Sequence, residues 1–220
     1  MNLLDGLRVE GTALLVIDMQ RDFLDPRGYA AKARLNIAPL QGVIPAVRWL
    51  LDAARAAEPM IVHAREGHLP DLSDCPPLKL ARSRNAGAEI GSTGALGRLL
   101  IRGEPGHDFI DELRPAAAEM VIDKPGYSAF ARTDLDQRLR VRDIDTLLLC
   151  GIATEVCVNS TLRDAVDRGY RCITVGDACA SAFPDLHDAA LRMITVEGGI
   201  FGTVSSSQQV AAELAGGLVA

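Results

Sequence analysis

Apolar residues along this chain fall into two alternating rhythms. Short, nearly unbroken apolar bursts ("TALLVIDM", "PMIVHAR", "EMVIDKP", "DTLLLCGI" and "RCITVGDAC") have strand length and lack the polar alternation of a half-exposed sheet. Longer stretches between them carry apolar positions at helical spacing. In "PLQGVIPAVRWLLDAARAA" these are Val43, Ile44, Val47, Leu50, Leu51 and Ala54. "DLDQRLRVRD", "EVCVNSTLRDAVDRG" and "DLHDAALRMITVEGG" read as further helices, and "GTVSSSQQVAAELAG" as a last short strand and helix. Strands apolar on both faces need cover on both sides. The pattern therefore predicts an α/β fold of three layers, α-β-α, with a central parallel sheet. With no internal repeat or low-complexity tract, residues 1–220 read as a single domain. One irregular stretch, at about 66–106, is rich in Gly, Pro, Ser and charge. It is too long for an ordinary connection and reads as a lid, a binding loop or a subunit contact.

Composition narrows the class of partner. The chain is 48% hydrophobic and 24% charged, the balance of a folded globular protein, with only 4% aromatic residues. A formal net charge of −6 supplies no basic footprint, which argues against nucleic acid or an anionic membrane surface. The N-terminus lacks the basic and apolar regions of a signal peptide, and no apolar run approaches the roughly 18–20 residues that span a bilayer. A cytoplasmic protein is expected. Cysteines 75, 150, 157, 172 and 179 are odd in number and show no CxxC spacing, so free thiols are expected, without a disulfide framework or a four-cysteine zinc site.

In an open parallel sheet, ligands bind beyond the carboxyl ends of the strands. Three polar residues meet that criterion. Asp18 ends "ALLVID", Lys124 ends "MVIDK", and Cys157 lies just beyond "LLLCG". With Thr154 as N-cap, Cys157 falls in the first turn of a helix, where the dipole favours a thiolate. A backbone amide left open there would hold an oxyanion, a contribution of about 3 kcal/mol for one donor. Asp18 closes an apolar strand, where an unpaired charge is costly, and Lys124 is its natural partner. Such a carboxylate can take the thiol proton and return it to a leaving amine. A structural Asp–Lys ion pair beside an inert cysteine explains the same positions equally well.

The motifs "LLVIDMQRDF", "DKPGYSAF" and "GIATEVCVNSTLRDAVDRGY" together resemble the isochorismatase-like cysteine hydrolase superfamily, over about residues 12–207. The resemblance implies a catalytic triad of Asp18, Lys124 and Cys157 and a parallel sheet flanked by helices. It also implies a dimer or tetramer of identical chains, and a cis peptide at Ile152–Ala153 that turns the amide of Ala153 toward that of Cys157 as an oxyanion hole. Isochorismatases proper cleave a vinyl ether and do not need the cysteine, so its presence points to amide hydrolysis. Nicotinamidases of the superfamily carry a metal-binding DxH…H motif. Here "IVHAREGHLPDL" has His63 and His68 without the aspartate two residues before, and neither metal nor organic cofactor is expected.

"HAREGHLPDLSDCPP", "RGEPGHDFIDEL" and "EGGIFGTVS" resemble the biuret and triuret hydrolase branch. On that likeness the substrate is a small linear ureide, with Glu197 accepting its N–H groups, Arg65 and Tyr127 donating to distal carbonyls, and Phe23, Phe130 or Phe201 flanking its plane. Tyr127 and Glu197 stand where the biuret-type pattern has Lys and Gln, which favours triuret. A ureidoacrylate- or carbamoylsarcosine-type amidohydrolase is the alternative, and a non-catalytic ligand-binding member a further one.

Overall fold

A computed structural model describes residues 7–216 of the chain. In chain order its elements are β1 (Thr12–Ile17), α1 (Arg21–Leu24), α2 (Tyr29–Lys32), α3 (Ala38–Gly42), α4 (Ile44–Ala57), β2 (Met60–Glu66), α5 (Pro77–Asn85), β3 (Thr93–Gly94), β4 (Gly97–Arg98), β5 (Met120–Lys124), α6 (Leu135–Arg140) and β6 (Thr146–Ile152). A π turn (Thr154–Val158) leads into α7 (Asn159–Asp167), followed by β7 (Arg171–Ala180), α8 (Pro184–Ile194), α9 (Val196–Gly199), β8 (Thr203–Ser205) and α10 (Ser207–Gly216). Six strands form one parallel sheet in the order β5-β2-β1-β6-β7-β8, and β3 with β4 makes a two-residue antiparallel ladder apart from it. The three-layer α/β expectation is met.

The apolar bursts became the strands because they are covered on both sides. Every residue of β1 and of β6 is buried. Helix α4 turns Val47, Leu50, Leu51 and Ala54 inward, as the helical spacing required, and packs with α10 against β7. Its start is marked by Pro45, and a separate short α3 precedes it, so the predicted single helix is two. The stretch at about 66–106 is less irregular than its composition suggested. Glu66 is the last residue of β2, and α5 and the β3–β4 ladder lie within the remainder.

The chain builds β1, β2 and β5 in one direction from the centre, then crosses back to build β6, β7 and β8 in the other. The order reverses between β1 and β6, where an open α/β sheet leaves its crevice. Gly151, near the end of β6, has φ 112°, and a Cβ there would meet the Ile17 carbonyl oxygen at the end of β1. Only glycine lets the two strand ends approach so closely.

A buried carboxylate pins the loop region to the strand ends. Asp22 Oδ2 accepts from the Leu100 amide at 2.8 Å and Oδ1 from the Tyr29 amide at 3.2 Å. Burial pushes its carboxyl up to about 6 against those two donors. The folded chain therefore holds this proton more tightly than the unfolded chain. The stability this provides is full below about pH 4 and is lost as the pH rises through about 6. In Asp22→Asn that dependence should vanish. The parent's unfolding free energy relative to the variant should then fall by about 3 kcal/mol between pH 4 and pH 7, read from urea titrations at each pH. A difference independent of pH would show that Asp22 is not the group responsible.

Candidate active site

Strand ends at the crevice deliver the reactive groups. Asp18 follows β1 with φ 56°, a left-handed conformation for a non-glycine residue, and its amide donates to the Ala64 carbonyl at 2.8 Å. Lys124 ends β5, in register with Glu66 at the end of β2. Cys157 lies in the π turn beyond β6, and the Ile152–Ala153 peptide that leads into it is cis. Lys124 Nζ sits 2.8 Å from Asp18 Oδ2 and 3.5 Å from Glu66 Oε2, and donates to the Gly126 carbonyl at 3.2 Å. The Cys157 thiol donates to Glu66 Oε2 at 3.5 Å, with Asp18 also among its hydrogen-bonding neighbours. The sequence thus placed Asp18, Lys124 and Cys157 together correctly. It passed over Glu66.

Glu66 is held from two directions. Its backbone is clamped by Gln20, whose Oε1 accepts from the Glu66 amide at 2.7 Å and whose Nε2 donates to the Glu66 and His107 carbonyls at 3.0 and 2.9 Å. Its Oε1 pairs with Lys79 Nζ at 2.7 Å, a lysine from α5 that also donates to the Pro125 carbonyl at 2.7 Å and lies 4.8 Å from the Tyr127 ring centre. Glu66 meets the same strand-end criterion that singled out Asp18 and Lys124, so the pattern could have found it. Lys79 sits in a helix within the charge-rich stretch, and nothing in its sequence surroundings marks it.

Burial sets the protonation states. Lys124 is 0% exposed and Asp18 1%. Burial opposes the Lys124 charge, but Asp18, Cys157 and Glu66 overcome it and hold the ammonium above its usual range. Burial pushes the Asp18 carboxyl up, against the pull of Lys124. For Glu66 burial also works upward, but Lys124 and Lys79 together hold its carboxyl below the ordinary value. The Cys157 thiol is pushed well up by burial and by Asp18. The helix end does not make a resting thiolate here, contrary to the expectation from the dipole. Thr154 is not the cap either: Ala153 is extended at that position, and the Thr154 hydroxyl instead meets His187 Nδ1 at 2.8 Å. A thiol beside a carboxyl of raised affinity for protons is suited to transfer its proton as it attacks.

A cavity of about 280 Å³ opens over the thiol, and its walls include Phe23, Tyr29, Tyr127, Glu155 and Phe183. Phe23 and Tyr127 therefore lie where a substrate contact was expected, while Arg65, Phe130, Glu197 and Phe201 do not line this cavity. Arg65 alternates with Glu66 along β2 and faces away, paired with Asp123 and Asp108 over the Phe109 ring. Phe130 is buried against Tyr170, with ring centres 5.8 Å apart. Glu197 is exposed at a kink where it and Gly198 both have positive φ. That kink carries Phe201 to the Arg163 guanidinium, 4.0 Å from the ring centre.

Ligand atoms of Asp18, Glu66 and Cys157 lie within 4.8 Å of one another, close enough to hold a cation. Lys124 and Lys79 already provide two positive charges to these two carboxylates. His63 and His68 answer to different acids: His63 Nε2 meets Glu119 at 2.8 Å and His68 Nδ1 meets Asp74 at 3.2 Å. Cys75, Cys150, Cys172 and Cys179 are buried free thiols.

A buried lysine, two carboxylates and a thiol at the switch point of a parallel sheet define a cysteine hydrolase of the α/β class. Residues 12–209 match the isochorismatase domain, and the chain belongs to that family. It is 34% identical over 214 residues to ureidoacrylate amidohydrolase RutB of Acinetobacter baylyi, covering 92% of this chain and 83% of that protein. Against ureidoacrylate amidohydrolase RutB of Azorhizobium caulinodans the identity is 33% over 213 residues, with 95% and 94% covered. A cysteine hydrolase from Pseudomonas syringae superimposes with a TM-score of 0.81 at 29% identity, over 96% of this chain and 95% of that one. N-carbamoylsarcosine amidase from Thermoplasma acidophilum gives 0.67 at 30% identity, over 89% and 96%. Among the described residues no helix is long and apolar enough to cross a membrane.

Proposed function

We propose that this amidohydrolase cleaves the terminal amide of a ureido group, in a substrate of the ureidoacrylate type, with Cys157 as nucleophile. The observation that carries this reading is the Cys157 thiol held against two carboxylates at the wall of a cavity. Similarity along nearly the whole chain to two ureidoacrylate amidohydrolases supports the substrate class. In R–NH–CO–NH2, Asp18 takes the thiol proton as sulfur bonds to the carbonyl carbon. The amides of Ala153 and Cys157 receive the oxyanion. Asp18 returns the proton to the departing nitrogen, the C–N bond breaks, and ammonia leaves an S-acyl cysteine, Cys157–S–CO–NH–R. Water, losing a proton to Asp18, then attacks that carbonyl. The C–S bond breaks, the thiol recovers its proton, and R–NH–COOH is released as a carbamic acid that can lose carbon dioxide. Lys124 stays charged throughout and stabilises each anionic state.

One observation favours a second reading, in which the substrate is an uncharged linear ureide such as triuret or biuret. The charged groups lining the cavity are Asp18, Glu66 and Glu155, and none of its lining residues is basic. Ammonia release from ureidoacrylate, N-carbamoylsarcosine, triuret, biuret and nicotinamide separates the two. The first reading expects kcat/KM to be highest for ureidoacrylate. Highest values for triuret or biuret would favour the second, and activity on nicotinamide alone would sink both.

A further inference from the structure

We propose that Glu155 is the acceptor that recognises the inner N–H of a ureido substrate and so sets a preference for ureides over plain carboxamides; this rests on the ureide reading above. Glu155 lies two residues before the nucleophile in the π turn and lines the same cavity. Its Oε2 is buried and has no hydrogen-bond partner among the described residues. The other two carboxylates of this cavity each have a lysine beside them, Asp18 at 2.8 Å and Glu66 at 2.7 Å, whereas no cation pairs with Glu155 among the described residues. A buried carboxylate oxygen without a donor is costly, and the cost is relieved when a ligand brings one. The turn that carries it is fixed, because the Val156 and Val158 amides both donate to the Ala153 carbonyl, at 3.1 and 3.2 Å.

The chemistry of the ligand follows from what a carboxylate can accept. It offers only lone pairs, so it selects N–H and rejects carbonyl oxygen and carboxylate at that point. In a ureide the scissile carbonyl is flanked by a departing NH2 and by an inner N–H that remains attached. A plain carboxamide has carbon in place of that inner N–H. Two residues from the attacking sulfur, Glu155 is placed to distinguish the two.

Biuret and malonamide form the test pair, since they differ only in an inner N–H replaced by CH2. Ammonia release is measured for the parent, Glu155→Ala and Glu155→Gln on biuret, malonamide and ureidoacrylate, with thermal unfolding of each protein. The parent should favour biuret over malonamide. Glu155→Ala should lower kcat/KM for biuret by about 10- to 100-fold, largely through KM, while changing malonamide by less than about threefold. Glu155→Gln keeps a carbonyl acceptor and should recover part of the loss. Tm should be unchanged or higher in Glu155→Ala, because a carboxylate oxygen buried without a donor has been removed. Equal losses on biuret and malonamide, a lowered Tm, or no change on biuret would overturn the assignment while leaving the ureide reading intact. A parent that releases ammonia from malonamide and from neither ureide would overturn both.

Discussion

A Cys157→Ser variant should fold like the parent and yet release ammonia from its ureido substrate at least about a thousandfold more slowly. The fold should survive because the side chain is small and buried, and a hydroxyl can donate to the same Glu66 oxygen that the thiol meets. The rate should collapse because a hydroxyl gives up its proton far less readily than a thiol. Burial and two neighbouring carboxylates already push the Cys157 thiol well up, so the site has little capacity to ionise a weaker acid. Burial raises the proton affinity of Asp18, the base beside the nucleophile, but does not make the weaker acid easier to ionise. Circular dichroism and thermal unfolding check the first half of the expectation, and steady-state ammonia release the second. Turnover within about tenfold of the parent would remove Cys157 as nucleophile.

Lys124→Met should be the most destabilising single change in the site, by about 3–5 kcal/mol at neutral pH, because it strands a buried carboxylate. Glu66 retains Lys79 at 2.7 Å, whereas Asp18 loses the cation 2.8 Å from its Oδ2. The Asp18 carboxyl, already raised by burial, then rises further. A carboxyl raised in the folded state contributes stability below its unfolded value near 3.8, and that contribution is lost as the pH climbs through the folded value. The deficit of the variant should therefore grow from acid toward neutral pH. Urea unfolding of parent and variant at about pH 4.5 and 7.5 reads this directly. A deficit under about 1 kcal/mol, or one that does not vary with pH, would contradict the buried Asp18–Lys124 pair. Activity should be absent, since the ionising Cys157 thiol loses the lysine that favours its negative charge.

What the sequence made legible depended on burial. β1 and β6 were readable because all their residues are buried, leaving an uninterrupted apolar run. Asp18, Lys124 and Cys157 stood out because polar groups at the ends of such runs need a reason. Glu66 obeys the same rule, but charged "HARE" blurs the strand end into the stretch that follows. Lys79 was hidden because its partnership with Glu66 spans from helix to strand and leaves no local trace. The four residues expected to touch substrate and found elsewhere show the limit of a resemblance. Arg65 has the wrong parity in β2, Phe130 is committed to Tyr170, and the Glu197–Gly198 kink carries Glu197 and Phe201 aside. Those placements turn on backbone direction and on which neighbour arrives first, and motif matching registers neither.

The order in which the strands lie in the sheet bears on when this chain becomes reactive. Asp18 and Cys157 come from the ends of strands adjacent in space, β1 and β6, with β2 to β5 and six helices lying between them in sequence. Lys124 comes from β5 at the outer edge, two strands away from β1, and reaches inward. No contiguous fragment of the chain shorter than the span from residue 18 to residue 157 contains all three groups. Contacts this distant in sequence are among the last to be secured as a parallel sheet forms. Catalytic competence is thus a property of the finished sheet: a growing or half-folded chain carries the cysteine without the means to fire it.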